Sequence, residues 1–278
     1  MIPPDSDISG TLARIAAALE RLAPSTNTDS DPTRGEAFVW TDDSLCAVAF
    51  PAVRPLALLL GIESQKAALH TNAERHAKGL PAHDVLLWGA RGMGKSALAK
   101  GVVADLRQSG HDIGLIELAR ADLVSLPALF RRLASTDRRF LLFCDDLSFE
   151  ADDRDYKALR TVLEGGIEER PANCRLIVTS NRRHLVPRTH DEAETAINAR
   201  DVLDDRLALA DRFGLSLGFH NCDQPMFLAM VQNYAAAFHL PFDDQDALTW
   251  ATGRGSRSGR VAWQYIQEVA GRVGKTLG

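Results

Sequence analysis

The sequence predicts an α/β protein. A mostly parallel five-stranded sheet is followed by a small domain of helices alone and preceded by a helical appendage. Three observations predict it. The stretch Asp84 to Leu106, DVLLWGARGMGKSALAKGVVADL, reads as strand, glycine-rich turn and amphipathic helix in immediate succession. Four further short apolar runs follow, separated by helix-length segments, which is the pattern of a parallel sheet with crossover helices. After Phe219 the alternation stops and only helical periodicity remains.

In chain order, residues 7 to 23 place Ile8, Leu12, Ile15, Leu19 and Leu22 on one helical face. Pro24 and the run Ser25 to Pro32 read as a flexible linker, so residues 1–36 form the expected appendage. A short strand and turn is expected within Phe38 to Cys46. Pro51 and Pro55 punctuate an apolar segment that ends at Leu58-Leu59-Leu60-Gly61-Ile62. A helix from about Glu63 to Lys78 is stopped by Gly79 and Pro81. The five strands are Val85–Trp88, Ile113–Leu118, Phe140–Cys144, Leu176–Thr179 and Leu215–Phe219. Between them fall helices beginning after Gly94, at Pro127 to Ala134, at about Asp155 to Glu169 and at Leu203 to Arg212. Pro127 suits a first helical turn, where a missing N–H removes no bond. The α/β domain therefore covers 37–221. Residues 222–278 carry three helices, at Asp223–Phe238, at Asp244–Thr252 and from about Ser258 onward.

Composition narrows the class. The chain has 278 residues, 45% hydrophobic and 25% charged, enough to bury a sizeable core. No apolar run approaches the roughly 20 residues of a membrane span. Met1-Ile2-Pro3-Pro4-Asp5 lacks the basic start and apolar core of a signal peptide, so a cytoplasmic location is expected. Cys46, Cys144, Cys174 and Cys222 have neither zinc-knuckle spacing nor a disulfide framework. The net charge of −5 argues against a free-standing nucleic-acid binder.

The chemistry is concentrated at a few strand ends. Gly89-Ala90-Arg91-Gly92-Met93-Gly94-Lys95-Ser96 matches G-x-x-x-x-G-K-[ST] between a strand and a helix that continues at Ala97. Such a loop turns backbone N–H groups toward phosphate oxygens, and the helix N-terminus adds partial positive charge. Lys95 can reach the β- and γ-phosphates, and the Ser96 hydroxyl can ligate Mg²⁺. Asp145 ends an apolar strand, where a carboxylate can hold Mg²⁺ through its hydration shell. Asp146 or Glu150 is placed to polarise an attacking water, and Asn181 at the next strand tip to orient it. Arg182, Arg183 and His184 follow as a solvated face or a polyanion contact. Arg212, with Arg206 as its rival, is a candidate for stabilising phosphoryl charge from a neighbouring subunit. Arg260 opens a predicted helix, where the helix dipole disfavours a cation unless an anion sits there; Arg254 and Arg257 lie beside it.

Together these motifs resemble the AAA+ ATPases. The phosphate loop at Gly89–Ser96 and the acidic strand Phe140–Asp146 are followed by a sensor-1-like Asn181. An arginine-finger-like Asp211-Arg212-Phe213-Gly214 and a sensor-2-like Ser258-Gly259-Arg260 complete the set. The phrases LLGIESQKAAL, LLWGARGMGKS, FCDDLSFE, TSNRRHL, DRFGLSLGF and GSRSGRVAWQ are similar to a bacterial AAA+ family known as domain of unknown function 815. The resemblance runs from about Phe38 to the C-terminus. It implies an ATP- and Mg²⁺-dependent machine with Gly61 and Ile62 near the adenine, and a homo-oligomer in which Arg212 acts in trans on an unknown protein or nucleic-acid client. A nucleotide-gated switch with little hydrolysis and a nucleic-acid loader are the alternatives.

Overall fold

The computed structural model describes residues 29–147, 159–163, 170–181 and 211–277. The expected N-terminal helix, Glu150, Arg182, Arg183, His184, Arg206 and most of the Asp155–Glu169 helix lie outside these residues. The order is β1 (Ala37–Thr41), β2 (Ser44–Val48), α1 (Glu63–Ala77), β3 (Val85–Gly89) and α2 (Lys95–Gln108). Then come β4 (Ile113–Leu118), α3 (Leu126–Leu133), β5 (Arg139–Cys144), β6 (Cys174–Ser180) and β7 (Leu215–Phe219). The last three helices are α4 (Gln224–Ala237), α5 (Asp244–Gly253) and α6 (Gly259–Arg272). Residues 159–163 are helical, as expected there, whereas Asp211 and Arg212 form a turn rather than a helix end.

The sheet has seven strands rather than five, in the order β2-β1-β4-β5-β6-β3-β7. The additional pair is a hairpin where one short strand and a turn were expected. Asp42 and Asp43 both adopt left-handed backbone, φ 49° and 57°. That is the geometry of a two-residue hairpin turn, which aspartate tolerates without supplying the usual glycine signal. β1 pairs antiparallel with β2, and every other pairing is parallel.

Both sheet faces are covered, which is why the strands read as unbroken apolar runs. Val85, Leu87, Leu141, Phe143 and Ile177 face a core shared with Leu69 of α1 and Leu98 and Val102 of α2. Leu86, Phe140, Leu142, Leu176 and Val178 face the other side, against Leu126, Leu129 and Leu133 of α3. The first core continues into the C-terminal helices through Phe227, Val231, Tyr234 and Ile266. Those helices are capped in turn by Asp223, Asp243 and Ser258, whose side chains accept the N–H groups of Met226, Asp246 and Val261.

Register places the strand ends. Leu86, Val178, Cys144 and Leu118 stand in one row across β3, β6, β5 and β4. The C-terminal ends of the three strands that carry Gly89, Asp145 and Asn181 therefore meet at one edge. Residues 29–36, expected to end the flexible linker, are instead bonded to this body. Arg132 binds Asp29 and the Ser30 carbonyl, and Arg138 binds the carbonyls of Pro32 and Gly35 at 2.8 Å each. The arginines that hold them lie a hundred residues further on, so nothing local in the linker announces the contact. Among the described residues no helix is long and apolar enough to cross a membrane. Among the described residues no disulfide joins the cysteines, and Cys144, Cys174 and Cys222 are buried.

Candidate functional site

The glycine loop leaves β3 at Gly89 and enters α2 at Lys95. At Gly89 the backbone runs against β7: Ala90 N–H donates to the Phe219 carbonyl at 2.8 Å, and a Cβ on Gly89 would stand 2.2 Å from that oxygen. Gly92 and Gly94 take left-handed conformations, φ 74° and 91°, and bare their main chain to a cavity of about 290 Å³. Lys95 is buried at 6% exposure. Its ammonium donates to the carbonyls of Gly89 and Ala90 at 2.9 Å each and to Asn181 Oδ1 at 3.0 Å.

The acidic strand end lies opposite. Ser96 Oγ donates to Asp145 Oδ1 at 2.7 Å. Thr179 Oγ1 donates to the same oxygen at 2.5 Å and accepts the Asp146 N–H at 2.8 Å. Asn181 Nδ2 donates to Asp146 Oδ1. One continuous network thus runs from Lys95 through Asn181 to Asp146, with Ser96 and Asp145 beside it. Burial lowers the Lys95 ammonium below the usual lysine range; Asp145 and Asp146 act against that, while Arg260 and Arg91 reinforce it. A partly desolvated cation among bare amides is an arrangement that suits a polyanion.

The third wall comes from the C-terminal helices. Arg260 N–H donates to the Gly92 carbonyl at 3.0 Å, so the start of α6 rests on the loop. A Cβ on Gly92 would stand 2.7 Å from Ser258 Oγ and 3.2 Å from the Arg260 Cβ. At its other end the cavity is apolar, lined by Leu58, Leu59, Leu60, Ile62, Met230, Tyr234 and Trp263. The Arg54 guanidinium closes this end, 4.1 Å from the Trp263 ring centroid, and its Nε is buried without a hydrogen-bond partner among the described residues.

Of the residues expected from sequence, the cavity brings together Ile62, Gly92, Met93, Gly94, Lys95, Ser96, Ala97, Asp145, Asp146, Asn181 and Arg260. Gly89 and Ala90 take part through their carbonyls. Gly61 and Arg91 do not line it; the Gly61 N–H is turned to Glu63 Oε1 at 3.2 Å. Arg212 precedes the start of β7, at the sheet edge opposite Gly89, since Leu215 pairs with Val85 and Phe219 with Gly89. It is therefore not part of the site of its own chain. Arg54, Thr179, Tyr234 and Trp263 were missed. Arg54 sits in Val53-Arg54-Pro55, which reads only as punctuation, and Thr179 reads as an ordinary strand residue. Tyr234 gives a helical-face signal that does not distinguish a core from a cavity wall.

Ser96 Oγ and Asp145 Oδ1 are hard oxygen donors of the kind Mg²⁺ takes, with water and phosphate supplying its remaining positions. Among the described residues no group of three or more His, Cys, Asp or Glu side chains is placed to hold a metal ion. A cation at Ser96 and Asp145 would thus draw its remaining ligands from outside the described residues. One end polar and cationic, the other apolar, the cavity has the two-ended character of a nucleoside polyphosphate.

Solved structures with a similar fold include a RuvB variant from Thermotoga maritima, 19% identical, with a TM-score of 0.51 over 80% of this chain and 66% of that one. They also include the ORC1 protein of Aeropyrum pernix in complex with DNA, 16% identical, with a TM-score of 0.52 over 80% of this chain and 62% of that one. The chain thus spans just under two thirds of each of these proteins. At this identity the likeness establishes the fold alone, an α/β fold built on a mostly parallel sheet. No match is found among curated proteins. Residues 33–273 match the family described as "Protein of unknown function (DUF815)", and the chain belongs to that family.

Proposed function

We propose that this protein binds ATP with Mg²⁺ between the phosphate loop and the C-terminal helices, hydrolyses it, and uses the change to remodel a macromolecular partner. The observation that carries the reading is the network Lys95–Asn181–Asp146 beside Ser96–Asp145, at the polar end of a cavity roofed by α6. In this reading Lys95 and the loop amides hold the β- and γ-phosphates. Ser96 and Asp145 hold Mg²⁺, which neutralises phosphate charge. Asp146 or Glu150 accepts a proton from water, and Asn181 orients that water. Arg260, anchored to Gly92 through its own N–H, couples the γ-phosphate to the angle of α4–α6.

Arg212 cannot serve its own chain from the opposite sheet edge, and that supports a homo-oligomer in which it completes a neighbour's site. The client is a protein or a nucleic acid; the DNA in the ORC1 structure motivates the second, while the net charge of −5 opposes it. A cytoplasmic location accompanies this reading.

A nucleotide-gated switch is the competing reading. Its support is that Asp146 is one methylene shorter than glutamate and already engaged by Asn181. Phosphate release by the purified protein decides between them. Asp146→Asn and Glu150→Gln are each expected to test one proton acceptor, and the one that matters loses about 10²–10⁴ in rate. Turnover unchanged in both would remove both from the mechanism.

A further inference from the structure

We propose that Thr179 is a positioning residue that folds two consecutive aspartates into a single site; the inference rests on the nucleotide reading above. Asp145 and Asp146 both line the cavity. Along an extended strand, successive side chains point to opposite faces, so a straight continuation of β5 would present only one of them. The chain instead turns at Asp146, whose φ of 53° is left-handed and uncommon for a residue with a side chain.

Thr179 holds that turn from the neighbouring strand. Its side chain is 1% exposed. Its hydroxyl donates to Asp145 Oδ1 at 2.5 Å and accepts the Asp146 N–H at 2.8 Å. Its carbonyl accepts the Leu147 N–H at 2.8 Å. One residue therefore bonds three in succession. Asp145 is left facing Ser96, and Asp146 reaches Asn181. The hydroxyl is what the arrangement requires, because it satisfies a carboxylate and an amide at once. A valine of nearly the same shape would strand the Asp146 N–H and remove a donor that fixes Asp145 beside Ser96.

The test uses the full chain with Thr179→Val, Thr179→Ala and Thr179→Ser. The probe is a non-hydrolysable ATP analogue, titrated in EDTA and then in Mg²⁺, with thermal unfolding measured in parallel. All four proteins are expected to bind alike in EDTA. Mg²⁺ should tighten wild type and Thr179→Ser. In Thr179→Val and Thr179→Ala that tightening should fall by about 10- to 100-fold, the usual effect of removing a group that orients a metal ligand. KM for Mg²⁺–ATP should rise in step with that loss, and kcat for phosphate release should fall as well. Thr179→Ala covers the case in which valine overpacks and fails to fold. Full Mg²⁺ tightening in Thr179→Val or Thr179→Ala would overturn the inference. So would Thr179→Ser behaving like Thr179→Val, a loss already present in EDTA, or wild type indifferent to Mg²⁺. A wild type that binds no nucleotide at all would instead defeat the nucleotide reading, and this inference with it.

Discussion

The contact between the phosphate loop and α6 can be weighed by comparing two glycine-to-alanine substitutions. Gly92 and Gly110 both have left-handed backbone, φ 74° and 87°. An alanine at either costs about 1–2 kcal/mol in that conformation, offset slightly by its lower unfolded-chain entropy. Those contributions are common to both sites. The surroundings are not. A Cβ at Gly110 meets nothing within 4 Å, whereas at Gly92 it meets Ser258 Oγ at 2.7 Å and the Ser258 Cβ at 3.0 Å. Ser258 caps α6 and is buried at 6% exposure, so it cannot swing aside without loosening the helix start. Overpacking of this kind adds about 1–3 kcal/mol. Urea unfolding should therefore show Gly92→Ala less stable than Gly110→Ala by that increment. Gly92→Ala should also bind an ATP analogue more weakly, while Gly110→Ala binds as wild type does. Equal stability and equal affinity in the two variants would refute the idea that α6 presses on the loop.

Arg54→Met should cost about 0.5–2 kcal/mol by loss of the contact with the Trp263 ring, and a double-mutant cycle with Trp263→Leu isolates it; the same loss in both backgrounds would show that the pair is not coupled. His76 is 1% exposed and joined through Nε2 to the Phe140 carbonyl at 3.0 Å. Burial pushes its imidazole down to about 4, with the Phe140 carbonyl opposing the change. Because the folded value is depressed, its contribution is complete above pH 6.5 and is lost as pH falls toward 4, about 3 kcal/mol across that window. Wild type should lose that stability between pH 7 and 4 relative to His76→Gln, and parallel curves would contradict the assignment. For Arg212, mixing Arg212→Ala with Lys95→Ala protein should restore some phosphate release at interfaces where an intact arginine faces an intact loop. Mixed oligomers with no rescue would remove the trans role.

Much of this architecture is legible in the sequence because its signals are local. The Gly89–Ser96 loop, the apolar runs of β3 to β7 and the helix starts near Asp223 and Ser258 each lie within a few residues of what they determine. The hairpin β1–β2 was only half visible, because Asp42-Asp43 reverses the chain without a glycine. What local reading misses depends on partners far along the chain. Thr179 matters only because register sets it beside Asp145, and Arg54 only because α6 brings Trp263 over it. Residues 29–36 read as linker because the arginines that hold them, Arg132 and Arg138, lie in and after α3. Polar residues at strand ends are thus easy to name, whereas the residues that aim them are visible only once the strands are paired.

In the function proposed above, the cavity between the Gly89–Ser96 loop and α6 binds and hydrolyses ATP. The most direct test measures ATP binding and phosphate release in Mg²⁺ for wild type and Lys95→Ala at matched folded concentration. Wild type is expected to show saturable binding and steady phosphate release, and Lys95→Ala to lose both, because the Lys95 ammonium ties the loop to Asn181. Wild type that neither binds nor hydrolyses ATP, or Lys95→Ala that does both as well as wild type, would contradict it.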